Sequence, residues 1–213
     1  TNAGNPLKYP VKQPDGTVAE VDRTDDLVKA LDANGIDAVV AVGGDGSLTI
    51  ANALARKGVR IVGVPKTIDN DLSQTVVTFG FDTAVSFATE CIDRLHTTAA
   101  SHRRVIVVEV MGRYAGWIAL NAGVSATADV ILLPEIPYDL GCVAEKIQER
   151  YARGRAFAIV VVSEGARPKG GSYAVIEKKA GSAERLGGVG ERVAAEIGQA
   201  TGRDTRHVVL GHL

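Results

Sequence analysis

Three short stretches of this chain gather carboxylates, cations and glycines more densely than packing alone requires. Val64-Pro65-Lys66-Thr67-Ile68-Asp69-Asn70-Asp71 sets a cation and two carboxylates directly behind the apolar run Val59-Arg60-Ile61-Val62. Facing a cleft, Asp69 could take a proton from a hydroxyl, and Asp71 or Asp45 could bind a metal ion. Lys66 and Thr67 could donate hydrogen bonds to phosphate oxygens. Gly43-Gly44-Asp45-Gly46-Ser47 follows another apolar run. Its glycines let the backbone approach a ligand, and the helix expected after it offers unpaired N–H groups to a phosphate. Asp45 suits Mg²⁺, which takes one or two carboxylates alongside phosphate oxygens. In Met111-Gly112-Arg113-Tyr114-Ala115-Gly116-Trp117 a guanidinium fork meets the start of a further helix and matches a phosphoryl oxygen. Each stretch alone has an ordinary reading, as a strand-to-helix turn or a solvated Asx turn. Two cation-ready acidic loops at neighbouring strand ends point to phosphoryl transfer, where catalysis is mainly positioning and charge neutralisation.

These residues must be held by strands and helices, and the sequence alternates between the two. Short runs rich in Val and Ile read as buried strands: 36–42, 59–64, 104–110, 130–133, 157–162 and 206–210. Helix-length segments lie between them at 25–33, 47–57, 82–100, 115–126, 140–153 and 190–201. Gly35, Gly58 and Gly154 stand where a helix-ending glycine belongs, and Asp25 and Asp82 suit first turns. Near-continuous apolar strands alternating with helices imply a mostly parallel sheet covered on both faces. Ligands of such sheets bind outside the carboxyl ends of the strands, where the three stretches fall.

Composition narrows the function. The chain has 213 residues, 46% hydrophobic and 23% charged, which gives a sizeable core. A formal net charge of -1 supplies no global field for nucleic acid or an anionic membrane, so an anionic ligand must be held by local groups. The pairs Arg103-Arg104 and Lys178-Lys179 are too short for a nucleic-acid patch. Cys91 and Cys142 lack metal spacing and read as buried apolar thiols in a reducing compartment. No apolar run is long enough for a membrane span, and the start of the chain lacks the order of a signal peptide, so a soluble cytoplasmic protein is expected. No GxxxxGK[ST] is present, which argues against a P-loop NTPase. His96, His102 and His207 have no metal-ligand spacing, and Trp117 reads as core.

GGDGS, PKTIDND, the run Ser101 to Gly116, Ser163-Glu164-Gly165 and the run Thr201 to His212 resemble, in order and approximate spacing, the phosphofructokinase family. GGDG alone is shared with NAD kinases and diacylglycerol kinases; TIDND together with MGR is far more specific. The resemblance implies two Rossmann-like three-layer domains with mostly parallel sheets and the active site in the cleft between them. Residues 1–80 would bind the phosphoryl donor and residues 81–213 fructose 6-phosphate. It implies Asp69 as the base for the sugar 1-hydroxyl, Thr67 and Asp71 shaping the transfer site, and Asp71 and Asp45 at Mg²⁺. Gly44, Gly46, Ser47 and Lys66 would face the donor, and Arg113 would stabilise the transferring phosphoryl group. Met111, Gly112 and Glu164 would contact the sugar, and His212 the sugar phosphate. Arg104 and Arg206 would reach a neighbouring subunit's 6-phosphate, which implies a homo-oligomer, dimer or tetramer, with shared active sites. Arg104 as a solvated strand flank and Glu164 as a cap are the ordinary competitors.

The donor is the finer question. In the family, glycine at the position of Gly46 leaves room for the α-phosphate of ATP, whereas aspartate there goes with pyrophosphate. A lysine at the position of Lys66 is typical of pyrophosphate users. Exclusion of ATP is the harder constraint, so Gly46 outweighs Lys66 and ATP is expected, with pyrophosphate the alternative. Against the family pattern, the opening strand and its glycine-rich loop do not precede Thr1, and the stretch that usually follows Gly211-His212 is missing after Leu213, so the chain reads as a partial one. Residues 166–190 form a longer insertion than usual and read as a surface loop. The expected activity is Mg²⁺-assisted phosphoryl transfer to O1 of fructose 6-phosphate in glycolysis. A catalytically silent sugar-phosphate binder and a fragment of structural value only are the rivals.

Overall fold

The expected alternation forms two units in a computed structural model, which describes residues 6–177 and 185–211. One unit runs to Thr67 and includes Leu72–Thr75; the other holds Ile68–Asp71 and everything from Val76 on.

In the first unit, β1 (Lys8–Lys12) and β2 (Val18–Asp22) pair antiparallel, Lys8 opposite Asp22. Their turn carries Gly16 at φ +85°, and the Asp15 carboxylate accepts from Thr17 N at 2.9 Å. The sequence predicts no strands here, because both are short and polar and lie almost wholly exposed. Helix α1 (Thr24–Ala33) starts where the Asp22 carboxylate accepts from Thr24 N at 2.8 Å. Strand β3 (Val39–Gly43), helix α2 (Asp45–Ala55) and β4 (Ile61–Thr67) then form a parallel crossover, in register from Val39 opposite Ile61 to Gly43 opposite Pro65. Gly35 and Gly58 follow α1 and α2 at φ +64° and +91°, left-handed conformations that glycine adopts without penalty. Strand β4 runs past Val64, the expected end, through Pro65, Lys66 and Thr67, and β3 pairs with it as far as Pro65, opposite Gly43. Helix α2 turns Ala51 and Leu54 inward, while Val40, Val42 and Val62 stay exposed.

The second unit is the three-layer structure expected. After β5 (Phe79–Gly80) come α3 (Phe81–His102), β6 (Val105–Val110), α4 (Trp117–Ser125), β7 (Val130–Leu132), α5 (Leu140–Ala152) and β8 (Ala158–Ser163). Then follow β9 (Val175–Glu177), β10 (Arg185–Leu186), α6 (Val189–Thr201) and β11 (Thr205–Val209). Strands β11, β6, β8 and β7 lie side by side in that order, all parallel. Every residue of β6 and β8 is buried, which is why both read as apolar runs, broken only by Glu109 in β6 and ended by Ser163 in β8. Their side chains alternate: Ile106, Val108, Val110, Ile159 and Val161 pack with α3 and α4, and Val105, Val107, Val160 and Val162 with α5 and α6.

Three expectations for this unit fail. The insertion at 166–190 is not only loop, since β9 and β10 pair antiparallel, Arg185 opposite Glu177. Lys178-Lys179 lies outside the described residues. Trp117 is 47% exposed rather than core, because α4 buries the face of Ile118, Ala119 and Ala122 and its first residue falls off that face. Cys142 is exposed on the outer side of α5, and Cys91 is only half-buried. Among the described residues no helix is long and apolar enough to cross a membrane.

Candidate active site

Connections leave β6 and β8 on opposite faces of the sheet: β6 leads through α4 to β7, and β8 leads through α6 to β11. Adjacent strands whose chains diverge leave a crevice at their carboxyl ends. Two of the sequence stretches meet there. Val110 sits opposite Ser163, so Met111-Gly112-Arg113 and Glu164-Gly165 emerge side by side, and Glu164 N donates to Val110 O at 2.9 Å.

The contact between these loops is close and specific. The Glu164 carboxylate accepts from Arg113 N at 2.9 Å. Gly112 turns at φ +133° and Arg113 at φ +49°, a left-handed pair that lifts the Arg113 side chain into an exposed position. A Cβ on Gly165 would lie 1.8 Å from Arg113 O, so only glycine lets the two backbones approach this far. Glu135 accepts from Gly116 N at 2.8 Å and ties down the far end of the Arg113 loop, a residue that none of the sequence motifs marks.

Electrostatics bring Asp69 to the same place. Burial pushes the Glu164 carboxyl above its ordinary range, and the neighbouring charges of Asp69 and Glu109 push it further, against the N–H groups of Arg113 and Gly112, which favour ionisation. Glu109 is itself buried, next to last in β6, and accepts from Gly190 N, in the first turn of α6, at 2.7 Å. It escapes sequence reasoning because a single acid inside an apolar strand carries no motif. Ile68 packs against the core of this unit, and the Asn70 side chain accepts from Thr78 N at 2.9 Å. Asp69 is half-buried between these anchors, while Asp71 is exposed.

The remaining candidates fall elsewhere. In the first unit Gly44 caps α2, Asp45 and Gly46 are exposed in its first turn, and a Cβ on Gly43 would meet Ser47 Cβ at 2.4 Å. Thr67 lies beside Gly44, whose Cβ would sit 3.1 Å from Thr67 Cβ; Lys66 is exposed on β4. No three His, Cys, Asp or Glu side chains gather among the described residues in a way that could hold a metal by themselves. Asp45 and Asp71 each offer a single exposed carboxylate, the kind of ligand that Mg²⁺ takes singly alongside phosphate oxygens and water. Arg104 and Arg206 stand at the amino ends of β6 and β11, away from Arg113 and Glu164. His212 lies outside the described residues. A concavity of about 610 Å³ lined by His96, Asp129, Lys146, Arg150, Arg155 and Phe157 also opens at the amino ends of the strands and includes none of the candidates.

Fold and loops define a doubly wound α/β protein whose polar loops crowd a switch point of its larger sheet. The family model for phosphofructokinase matches residues 9–213, and the chain belongs to the phosphofructokinase family. It is 50% identical over its whole length to the ATP-dependent 6-phosphofructokinase 2 of Clostridium perfringens, covering 59% of that protein. It is also 51% identical, over 89% of its length, to the pyrophosphate–fructose 6-phosphate 1-phosphotransferase of Amycolatopsis mediterranei, covering 56% of that protein. The crystal structure of Pichia pastoris phosphofructokinase in the T-state superposes with a TM-score of 0.76 at 30% identity, over 91% of this chain and 22% of that one. The chain therefore spans little more than half the length of the curated relatives it matches.

Proposed function

We propose that the protein carrying this chain is a 6-phosphofructokinase, a phosphotransferase with an alcohol acceptor that moves the terminal phosphoryl group of ATP to O1 of fructose 6-phosphate. The observation that carries the reading is the cluster of Asp69, Arg113 and Glu164 around one switch point, because a base, a cation and a hydroxyl acceptor are the groups in-line transfer to a sugar alcohol requires.

Each residue then has a task. Asp69 accepts the proton of the sugar 1-hydroxyl as O1 attacks. Arg113, exposed on its strained turn, directs its guanidinium at the oxygens of the phosphoryl group in transit. Glu164, Met111 and Gly112 line the sugar, with Glu164 accepting from its hydroxyls. Gly44, Gly46 and Ser47 at the start of α2 receive the donor phosphates on backbone N–H groups, and Lys66 and Thr67 donate to them. Asp45 and Asp71 would hold Mg²⁺, which when bound neutralises phosphate charge. In this reading the PKTIDND stretch carries both donor-facing and sugar-facing residues.

Arg104 and Arg206 support a shared site. The six residues of β6 separate Arg104 from the loop of Arg113, and a strand of that length spans roughly 20 Å. One sugar phosphate cannot reach both ends of the strand, which agrees with the role the family resemblance gives these arginines, toward a second copy of the chain in a homo-oligomer. Two free thiols and the lack of a spanning helix among the described residues suit a cytoplasmic enzyme.

Pyrophosphate is the second reading for the donor, favoured by the exposed Lys66 and by the name of the Amycolatopsis relative. A coupled assay on the full-length protein, with Mg²⁺ and either donor, decides. Turnover with ATP at least tenfold more efficient than with pyrophosphate is expected, and the reverse order overturns the donor assignment. Asp69→Ala should lower kcat by about 10²- to 10⁴-fold while fructose 6-phosphate still binds. Absence of turnover with both donors in the unaltered protein would make it a silent sugar-phosphate binder.

A further inference from the structure

The amino ends of β6 and β11 hold a three-membered charge cluster centred on Asp204, a residue to which the sequence motifs gave no role. Asp204 Oδ2 accepts from Arg104 Nε, and Asp204 Oδ1 pairs with Arg206 Nη1 at 2.8 Å. One carboxylate thus uses a different oxygen for each guanidinium. The arrangement follows from the backbone. Arg103 ends α3 at φ +53° and Gly202 ends α6 at φ +67°, so both chains turn sharply into neighbouring parallel strands. Thr205 then registers with Val105, and Val105 N donates to Asp204 O at 3.0 Å, which sets Asp204 beside Arg104. Arg206 lies two residues further on, on the same face of the strand as Asp204.

From this geometry we infer that Asp204 is a positioning residue, holding Arg104 and Arg206 together as one fork for the phosphate of the sugar bound by a neighbouring copy. The inference rests on the proposed role of those two arginines. Two guanidiniums side by side repel each other, and long side chains that are 33% and 60% exposed lose rotamer freedom when they bind. A carboxylate between them offsets the repulsion and fixes their direction before the ligand arrives. It takes only Nε of Arg104 and Nη1 of Arg206, which leaves both terminal nitrogens of Arg104, and Nη2 and Nε of Arg206, to donate to a phosphate. Asp204 itself touches no reacting atom.

Steady-state kinetics on the full-length protein test this, with Asp204→Asn, Asp204→Glu, Arg104→Ala and Arg206→Ala compared alongside their melting temperatures. Asp204→Asn should raise the KM for fructose 6-phosphate about fivefold with kcat within twofold of the unaltered enzyme, and Asp204→Glu should recover most of the loss. Arg104→Ala and Arg206→Ala should raise that KM further. If the arginine variants raise KM while Asp204→Asn leaves it unchanged or lowers it, the positioning role is overturned and the arginines keep theirs. If the arginine variants leave KM unchanged, the phosphate-binding reading fails and the inference falls with it. A fall in kcat with a lower melting temperature in both Asp204 variants would assign the residue to folding alone and equally overturn the proposal.

Discussion

Adding a single methyl group at Gly165 should disable the proposed phosphoryl transfer through the backbone rather than through any side chain assigned to it. A Cβ there would lie 1.8 Å from the carbonyl oxygen of Arg113, 2.9 Å from its carbon and 3.2 Å from Pro134 Cγ. A carbon and a carbonyl oxygen rest no closer than about 3.3 Å, so the peptide after Arg113 must retreat by roughly 1.5 Å. It cannot do so alone, because Arg113 N is bonded to Glu164 at 2.9 Å and Gly112 packs on Ala115 O at the other side of the turn. Misplacement by about 1 Å in a transfer site costs on the order of 100-fold in rate, and overpacking a buried contact costs about 1–3 kcal/mol of stability. Gly165→Ala is therefore expected to lower kcat about 100-fold, with a stability loss of that size in urea unfolding, read with the coupled assay on the full-length protein. Near-normal kcat and an unshifted unfolding midpoint would refute the claim that the Glu164 and Arg113 loops are held by backbone contact.

Three other outcomes can be checked. Because Glu164 titrates above its ordinary value of 4.5 in the folded protein, its protonated form favours folding, and its contribution is lost as pH rises from about that value through the folded pKa; Glu164→Gln should thus melt higher than the unaltered protein by a margin that widens with pH, and a margin independent of pH would contradict it. A Cβ on Gly46 would meet nothing within 4 Å, so Gly46→Asp should fold normally, lose most of its kcat/KM for ATP and retain turnover with pyrophosphate, whereas unchanged use of ATP would remove Gly46 from donor selection. Arg150 pairs with Asp129, whose side chain is 10% exposed, donates to Phe157 O at 2.6 Å and stacks on the Phe157 ring at 4.8 Å; Arg150→Met should cost about 3 kcal/mol in urea unfolding by leaving a buried carboxylate unpaired, and a loss below about 1 kcal/mol would show that Asp129 finds another partner.

Much of the second unit is legible in the sequence because its strands are buried on both sides. Val105 to Val110 and Ala158 to Val162 read as apolar runs with Glu109 the one interruption, and Asp82 in the first turn of α3 and Gly154 after α5 mark helix ends. The hairpin of β1 and β2 is hidden for the opposite reason, since exposed strands with lysines and glutamates have no apolar pattern to read. Lys66 reads as loop because charge behind an apolar run looks like a strand end, yet β4 continues through it to Thr67.

Residue types and spacing pointed to phosphoryl transfer and to the family: acids, a guanidinium and glycines stand in an order with few other uses. The sequence also set the alternation of elements, because hydrophobic period is a local property of the chain. Only the tertiary structure decided who meets whom. It joined Glu164 to the backbone of Arg113, brought Asp69 and Glu109 close enough to favour a proton on Glu164, and seated Asp204 between two arginines, one of them far away in the chain. Such pairings depend on strand order and register, which are settled by packing among distant segments and leave no mark in the local pattern.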